Sequence, residues 1–398
     1  MMPVLEALLF ALMIGVAAPA GLLLLQVLLA WRAARVQSPA DTLPFAGRLA
    51  VLMPAHDESQ GIAAIIAALR PQLRAQDWLL VVADNCSDDT AQRAREAGAA
   101  VVERCDAQHR GKGYALAFGM ARLADDPPDV VIVVDADCLV QPGALLRLAS
   151  QAQQRQCPIQ AHYRMDAPPD AGLMSRVSAL AWRVKTYVRP LGWRALGLPC
   201  PLMGSGMAFP WTLLVRFELG SAHLVEDLQL GLDLTRAGAA PRFEPTCEVR
   251  SALPASARGS RSQRTRWEHG HLGVLLHTAP RLLWQAAGQR SGALLAVAAD
   301  LCVPPLALLA LLLAAAVAGS LGAWLLLGWM APLVLALVAC ASFASAVLIA
   351  WARFGRDTLS ARELASAPLY VLWKIPVYLG FVLHRQRAWV RTEREPPR

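Results

Sequence analysis

The sequence predicts an α/β domain with a mostly parallel sheet, flanked by transmembrane helices. Two observations support this class: short apolar runs alternate with helical patterns in the middle of the chain, and long apolar segments precede and follow them. The chain has 398 residues, 56% of them hydrophobic, and a formal net charge of +8. Its mean hydropathy is +0.38. This composition argues against an ordinary soluble enzyme and for more than one domain.

The first element is an apolar segment over residues 4–30, which holds one charged residue, Glu6. About 20 apolar residues suffice to cross a bilayer, and Arg32 follows directly, which favours a cytoplasmic end at that point. We therefore expect an uncleaved anchor over residues 1–34, with its N-terminus outside. A cleaved signal is the alternative, because small residues typical of a cleavage site occur at Ala17, Ala18 and Ala20.

The central region, residues 45–255, is predicted to form a cytoplasmic α/β domain. Its patterns predict strands at 49–53, 79–83, 99–103 and 130–134, with helices at 62–69 and 112–123. Such alternation is typical of a parallel sheet with helices on both faces. Polar residues gather after the strands, at the carboxyl ends where such sheets bind ligands.

Two aspartates, Asp135 and Asp137, close the apolar run 130–134. Alternate side chains of a strand share a face, so both carboxylates can point into one crevice at the end of the sheet. Paired oxygen ligands suit Mg²⁺ or Mn²⁺ carrying a diphosphate. The alternative is that both residues only form a turn after a buried strand.

Lys112 stands between two glycines at the start of the predicted helix 112–123. The surrounding residues match neither the P-loop nor the dinucleotide-binding pattern. Lys112 can still bind a phosphate as a point charge, although a solvated surface lysine has the same local sequence.

A second acidic pair, Glu226 and Asp227, precedes an arginine-rich stretch that contains Gln263, Arg266 and Trp267. The pair suits either a catalytic role or simply the N-terminus of a helix, which favours negative charge. The later group suits either a ligand site or a basic amphipathic helix on anionic lipid. The two interpretations of the later group are compatible at a membrane surface.

The remaining segments are predicted to lie in or on the membrane. They comprise interfacial amphipathic helices over 256–291, two transmembrane helices over 292–351, and a basic cytoplasmic tail over 385–398. Residues 364–384 contain Lys374 and two prolines, which leaves an interfacial, a re-entrant and a transmembrane segment open. Asp300 either faces a polar channel or lies at headgroup level.

Two further patterns concern the compartment of the protein and its partners. The eight cysteines are scattered without metal-binding spacing, as suits a reduced cytoplasmic face. Aromatic and basic residues interleave between Asp170 and Cys200 without a recognisable nucleic-acid module. We expect no nucleic acid there, but an interfacial helix that guides the acceptor.

Taken in order, these motifs resemble the family 2 membrane glycosyltransferases, which include cellulose, chitin, hyaluronan and poly-N-acetylglucosamine synthases. The resemblance covers about residues 48–270. It rests on an ordered set of motifs: Pro54 to Glu58, the Asp84 loop, Arg110 to Gly113, Asp135-Ala136-Asp137, Gly204-Ser205-Gly206, Glu226-Asp227 and Gln263-x-x-Arg266-Trp267.

The resemblance implies a GT-A fold and a role for each matching residue. His56, Glu58 and Asp84 would hold the uridine and Lys112 the diphosphate, while Ala55 and Asp135 would bind the nucleotide sugar. Asp137 would bind Mg²⁺ or Mn²⁺, and Asp227 would be the catalytic base. The diphosphate and the acceptor end would be held by Gln263, Arg266 and Trp267.

The implied activity is inverting transfer from a UDP-sugar to a glycan or lipid-linked acceptor, in β-linked polysaccharide synthesis at a bacterial inner membrane. One alternative is a transferase that adds a single sugar to a lipid. Another is a nucleotide-binding membrane scaffold without turnover. The sequence departs from the family at Asp57, where asparagine is commoner, and in its short membrane portion. The motifs identify neither the sugar, the acceptor, the product length, the oligomeric state nor any export partner.

Overall fold

The computed structural model describes residues 2–35, 44–168, 170–221, 225–253 and 257–383. Their side chains are described except at 2–3, 257–264, 266 and 382. The chain divides into two compact units. The described residues of the sheet unit lie within 44–168 and 198–267, and those of the helical unit lie within 2–35, 170–197 and 268–383.

The sheet unit contains one eight-stranded sheet. Its strands are β1 Leu49–Ala55, β2 Trp78–Asp84, β3 Ala100–Arg104, β4 Val130–Val133, β5 Leu139–Val140, β6 Ile159–Asp166, β7 Met207–Pro210 and β8 Arg242–Ala252. The helices that lie wholly in this unit are α2 Ile62–Leu69, α3 Thr90–Glu96, α4 Lys112–Leu123, α5 Ala144–Arg155, α8 Trp211–Leu214 and α9 Glu226–Arg236. All four predicted strands and both predicted helices lie among these elements.

The strands are ordered β3-β2-β1-β4-β7-β6-β8-β5. From β3 to β4 the neighbours pair in parallel, as the alternation of strands and helices predicts. The direction reverses at β7, which pairs antiparallel with both β4 and β6. β6 and β8 pair in parallel, and β5 lies antiparallel at the edge. The predicted fold class is confirmed. The sequence did not predict the antiparallel strand β7 within the sheet.

The core of the sheet unit lies between the sheet and helix α4. Leu52 of β1, Val82 of β2 and Val133 of β4 are buried against Leu116 and Leu123 of α4. Fully burying one such side chain contributes about 1.5–3 kcal/mol. This packing fixes the start of α4, and therefore Lys112, beside the strands.

The helical unit contains the remaining helices. Within it lie α1 Met2–Ala33, α6 Leu173–Arg183, α7 Arg189–Ala195, α11 Ala279–Gln289, α12 Gly292–Leu301, α13 Leu306–Leu327, α14 Met330–Phe354, α15 Ala361–Ala365, α16 Ala367–Trp373 and α17 Ile375–Leu383, while α10 Ala257–His277 begins in the sheet unit. Among the described residues, three helices are long and apolar enough to cross a membrane: Val4–Ala33, Leu306–Leu327 and Met330–Phe354. The predicted flanking helices are therefore confirmed.

Helices α6 and α7 belong to the helical unit, whereas the sequence analysis included them in the domain 45–255. The packing of α7 on α1 gives the reason. A Cβ atom at Gly192 would lie 2.2 Å from the backbone oxygen of Gln26, so the two helices approach as closely as a glycine permits.

Asp300 is buried in the helical unit and is paired there. Gln26 donates to its Oδ1 at 2.7 Å, and Arg189 lies 2.9 Å from the same oxygen. Arg189 also donates to Gln26 Oε1 at 3.1 Å and to the Asp300 carbonyl at 2.6 Å. We call Gln26, Arg189 and Asp300 the helical clasp, because they join α1, α7 and α12. Asp300 thus has two protein partners, Gln26 and Arg189, and neither was predicted from the sequence.

Residues 361–383 form the three short helices α15, α16 and α17, which meet near Ser366 and Lys374. Lys374 is buried and donates to Glu268. Three short helices are compatible with an interfacial, a re-entrant and a transmembrane segment, so the membrane position of 364–384 stays a prediction. The predicted basic tail 385–398 lies outside the described residues.

Candidate active site

The carboxyl ends of three neighbouring strands gather the predicted ligand-binding residues of the sheet unit. β1 ends at Ala55 and pairs with β2, which ends at Asp84. β1 also pairs with β4, and Val134 donates to the Leu52 carbonyl at 3.1 Å. Asp135 therefore emerges at the same edge of the sheet as Ala55 and Asp84.

Lys112 joins two loops at this edge. Its ammonium donates to Asp135 Oδ1 and, at 2.7 Å, to the carbonyl oxygen of Gly204. The backbone N–H of Asp135 donates to Ser205 Oγ at 3.1 Å, which holds the two loops together from the other side. Lys112 is thus a bound cation of the site and not a solvated surface lysine.

Asp227 lies in the same crevice. Helix α9 begins at Glu226, so both acidic residues stand in its first turn. Gly204 has φ +92, and a Cβ atom built there would lie 3.4 Å from Asp227 Oδ2 and 3.6 Å from Lys112 Nζ. Asp227 and Lys112 therefore border one glycine, and a side chain at that position would narrow the space between them.

Electrostatics tie these residues into one group, which we call the crevice group: Lys112, Asp135, Asp137, Glu226 and Asp227. Burial lowers the pKa of Lys112, but Asp135, Glu226 and Asp227 outweigh it and raise that pKa overall. Burial, followed by repulsion from Asp227, raises the pKa of Glu226 to about 7. Burial also raises the pKa of Asp135, which Lys112 opposes and Asp137 reinforces. A nearby cation would relieve this crowding of carboxylates.

The donor atoms around Asp137 fit Mg²⁺ or Mn²⁺. Ligand atoms of Asp135, Asp137 and Cys138 lie within 4.8 Å of one another. Burial, followed by the two carboxylates, raises the pKa of the Cys138 thiol well above its usual range, so it stays protonated and is a poor ligand. Ser251 Oγ donates to Asp137 Oδ2 at 2.9 Å and orients that carboxylate. The remaining donor set is carboxylate oxygen, which hard divalent cations prefer.

The predicted nucleotide-binding residues lie at the ends of β1 and β2. His56 donates from Nδ1 to the Asp84 carbonyl at 2.7 Å if that nitrogen carries the proton, since a carbonyl only accepts. The backbone N–H of Glu58 donates to Thr90 Oγ1 at 2.8 Å. The Asp84 carboxylate is bonded by Asn85 and Arg104. These contacts hold the loops in place, and nucleotide binding by these residues stays a prediction.

The third predicted group lies on α10. The side chains of Gln263 and Arg266 are outside the described residues, and Trp267 is half-buried in the sheet unit. Their roles at the diphosphate and the acceptor stay predictions.

Comparison with known families shows which family the chain belongs to. The model of the family described as "Glycosyltransferase like family 2" matches residues 46–270. The chain belongs to this family. The match contains the whole crevice group, so the acidic pairs and Lys112 lie inside a glycosyltransferase domain of GT-A type.

A solved glycosyltransferase shares the fold. The chain is similar to the mannosyltransferase PcManGT from Pyrobaculum calidifontis, solved in complex with GDP-Man and Mn²⁺, with 19% identity, a TM-score of 0.51, and coverage of 87% of this chain and 99% of that one. It also matches the glucosyl-3-phosphoglycerate synthase from Mycobacterium tuberculosis, with 21% identity and a TM-score of 0.36, over 56% of this chain and 81% of that one. No curated protein matches the chain.

Two residues of this family 2 glycosyltransferase were missed by the sequence analysis. Arg104 ends β3 and bonds Asp84, and Ser251 of β8 bonds Asp137. The position of Arg104 at the end of a predicted strand was a usable signal, because strand ends meet at the ligand edge. Ser251 gave none, since 114 residues separate it from Asp137.

A cavity of about 440 Å³ borders the crevice group. Glu226 and Asp227 line it together with Arg216, Phe217 and further residues of α4, α9 and the segment 216–221. Its size is within the range of small-molecule sites, and it mixes apolar and polar walls. Asp227 therefore contacts both the crevice and a cavity large enough for a sugar.

Proposed function

We propose that this chain is an inverting glycosyltransferase that transfers a sugar from a UDP-sugar to a glycan or lipid-linked acceptor at a cytoplasmic membrane. One observation carries the proposal: Asp227 and Lys112 border Gly204, with Lys112 also bonded to Asp135. A base and a phosphate-binding cation on two sides of one small crevice are what transfer from a nucleotide sugar requires.

Asp227 acts as the general base. An acceptor hydroxyl is a poor nucleophile, so its proton must pass to a carboxylate as the oxygen attacks the anomeric carbon. The cavity beside Asp227 gives the acceptor a route to that carboxylate. Attack from the side opposite the leaving group inverts the anomeric centre, so a UDP-α-sugar yields a β-linkage.

Lys112 acts on the leaving group. The departing diphosphate accumulates negative charge, and an ammonium already held by Asp135 and the Gly204 carbonyl stabilises that charge without reorganising. Asp135 and Asp137 would hold Mg²⁺ or Mn²⁺, which supplies further charge stabilisation when bound. Ser251 keeps Asp137 oriented for this task.

The long apolar helices support the part of the proposal that concerns the acceptor. Three helices long and apolar enough to cross a bilayer accompany the catalytic domain in one chain. We therefore infer a multi-pass protein of the inner membrane with a cytoplasmic sheet unit, in contact with lipid and with a lipid-linked or growing glycan.

The test is a screen of nucleotide sugars with membranes that carry the full chain or its Asp227→Asn variant. We expect one UDP-sugar to release UDP with the wild type, and the variant to bind UDP normally while transferring about 10²- to 10⁴-fold more slowly. Near-normal transfer by the variant would remove Asp227 from its role. No turnover of any nucleotide sugar by the wild type would favour the nucleotide-binding scaffold.

The addition of a single sugar to a lipid is the second candidate. The small number of described helices that could cross a membrane favours it, because a conducting path for a polymer needs more surrounding protein. Mass analysis of the products separates the two: a ladder of lengths supports a polymerase, and one added hexose supports the single transfer.

A further inference from the structure

Arg104 and Asp84 end two neighbouring parallel strands at the same level. Their Cα atoms are partners in the β2–β3 register. Arg104 Nη1 donates to Asp84 Oδ1 at 2.7 Å, and the backbone N–H of Asn85 donates to the Arg104 carbonyl at 2.7 Å. Backbone and side chain therefore fix the pair twice at the edge where we propose that the donor nucleotide binds.

Three neighbours hold the Arg104 guanidinium. Nη1 bonds Asp84, Nη2 donates to Asp106 Oδ2 at 3.0 Å, and the group lies 5.6 Å from the ring centroid of Tyr114. The Arg104 side chain is 11% exposed. A planar fork that joins two carboxylates and stacks near a ring has little freedom to turn.

The bonds to Asp84 all reach one of its oxygens. Asn85 Nδ2 donates to Oδ1 at 3.0 Å, as does Arg104, while Oδ2 receives no hydrogen bond from the part of the chain that the structure describes. The Asp84 side chain keeps 10% of its surface exposed. One oxygen is therefore fixed by the protein, and the other remains available as an acceptor.

We propose that Arg104 is a positioning residue for donor selection: it holds Asp84 so that Oδ2 accepts a ring N–H of the nucleobase. This role rests on the proposed function. Uracil and guanine carry such an N–H beside a carbonyl group. Cytosine and adenine have an acceptor nitrogen at the matching position, which would face the carboxylate unfavourably. Arg104 thereby sets the preference for uracil or guanine nucleotides over cytosine and adenine nucleotides.

The guanidinium is needed because it joins two acids at once. A lysine at this position supplies one ammonium, which cannot reproduce the fork between Asp84 and Asp106. Asp84 is then free to rotate, and its contact with the base weakens. We expect Arg104→Lys to weaken UDP or GDP binding about tenfold, the scale of one misplaced charge-assisted hydrogen bond.

The experiment measures the binding of UDP, GDP, CDP and ADP to the purified full chain in detergent. The matched control is Arg95→Lys, because Arg95 pairs with Glu103 beside Arg104 but is half exposed. We expect the wild type and the control to prefer UDP or GDP, and Arg104→Lys to lose most of that preference while CDP and ADP binding changes little. Asp106→Asn loosens Arg104 without touching Asp84 and should weaken the preference in the same direction, which guards against a misfolded Arg104 variant.

A uniform loss for all four nucleotides, or equal effects of Arg95→Lys and Arg104→Lys, would overturn the positioning role. Such a result leaves the proposed function standing, since the wild type still binds a nucleotide. A wild type that binds none of the four overturns the proposed function, and the role of Arg104 with it.

Discussion

The crevice group and the helical clasp are both partly or fully buried sets of polar side chains, yet they are built in opposite ways. The clasp has one guanidinium, one carboxylate and one amide, and its charged side chains are 7% and 9% exposed. The crevice group has four carboxylates and one ammonium, and its paired Lys112 and Asp135 are 20% and 25% exposed. One set balances its own charge in a closed site, and the other leaves an acidic excess in an open one.

The difference separates a structural ion pair from the site where we propose that the metal and the nucleotide sugar bind. In the clasp every charged group has a partner of opposite sign, so it needs nothing from outside. In the crevice group burial, followed by repulsion from Asp227, raises the pKa of Glu226 to about 7. Such perturbed groups cluster at functional sites, where a bound cation or a reaction makes use of them. Charge balance therefore tells the two sites apart better than burial does.

The largest expected effect is the loss of the divalent cation from the crevice group. Chelation by EDTA should reduce transfer by about 10³-fold or more, because several kcal/mol of charge stabilisation disappears. Mn²⁺ should restore the wild type but not Asp137→Asn. The readout is UDP release together with Mn²⁺ binding followed by its paramagnetic resonance signal.

Asp125→Asn is the matched control, since Asp125 is an exposed acid that pairs with Arg122 on the surface of the same unit. Transfer that persists in EDTA, or unchanged Mn²⁺ binding in Asp137→Asn, would contradict the assignment of Asp137 as a ligand.

The clasp should respond in stability. Arg189→Leu leaves Asp300 and Gln26 without their cation and should lower the free energy of unfolding by about 3 kcal/mol. The double variant Arg189→Leu with Asp300→Leu should recover most of that loss, because no unpaired charge remains. Denaturant unfolding of the full chain in detergent measures both.

If the double variant is at least as unstable as the single one, the Arg189–Asp300 ion pair itself contributes net stability. The loss in the single variant would then not be due only to an unpaired charge. UDP binding, measured in parallel, should stay unchanged in both variants.

The smallest expected effect comes from Glu226. Its pKa of about 7 in the folded protein lies above the ordinary value of 4.5. The folded state therefore binds more protons than the unfolded state between these values, and stability falls as the pH rises through that window. After allowance for partial exposure, we expect a loss of about 1–2 kcal/mol between pH 5 and pH 8 in metal-free protein.

Glu226→Gln should remove that fall, because an amide does not titrate. The comparison uses thermal unfolding of wild type and variant at both pH values. Parallel curves for the two proteins would contradict the assignment of this pH dependence to Glu226.

Local sequence patterns predicted those helices and strands whose own residues show a helical or a continuous apolar pattern. The helix predicted over 112–123 has the bounds of α4, and the run 130–134 contains β4, since continuous apolar residues are typical of a strand buried on both faces. The same reasoning placed Asp135 and Asp137 at the ligand edge. These features depend on residues that are close together in the chain, so a single sequence is enough to predict them.

The features that the sequence did not predict depend on distant partners. Strand β7 inserts beside β4 although more than 70 residues separate them, and no short pattern fixes that order. The partner of Asp300 is Arg189, 111 residues away, so the sequence left its environment open. The pairing of Arg104 with Asp84 follows from strand register, which becomes known only once the sheet is built.

The interleaved order of the two units constrains how the protein can be divided. Residues 169–197 interrupt the sheet unit but bury Val177 and Leu191 within the helical unit. A truncated catalytic protein made by cutting at both ends would carry this insert without the helices that cover it, and its apolar face would promote aggregation. Replacing the insert with a short polar linker offers a better route to a soluble enzyme. During synthesis, the described part of the sheet unit ends at residue 267 and therefore leaves the ribosome before the last helices of the helical unit.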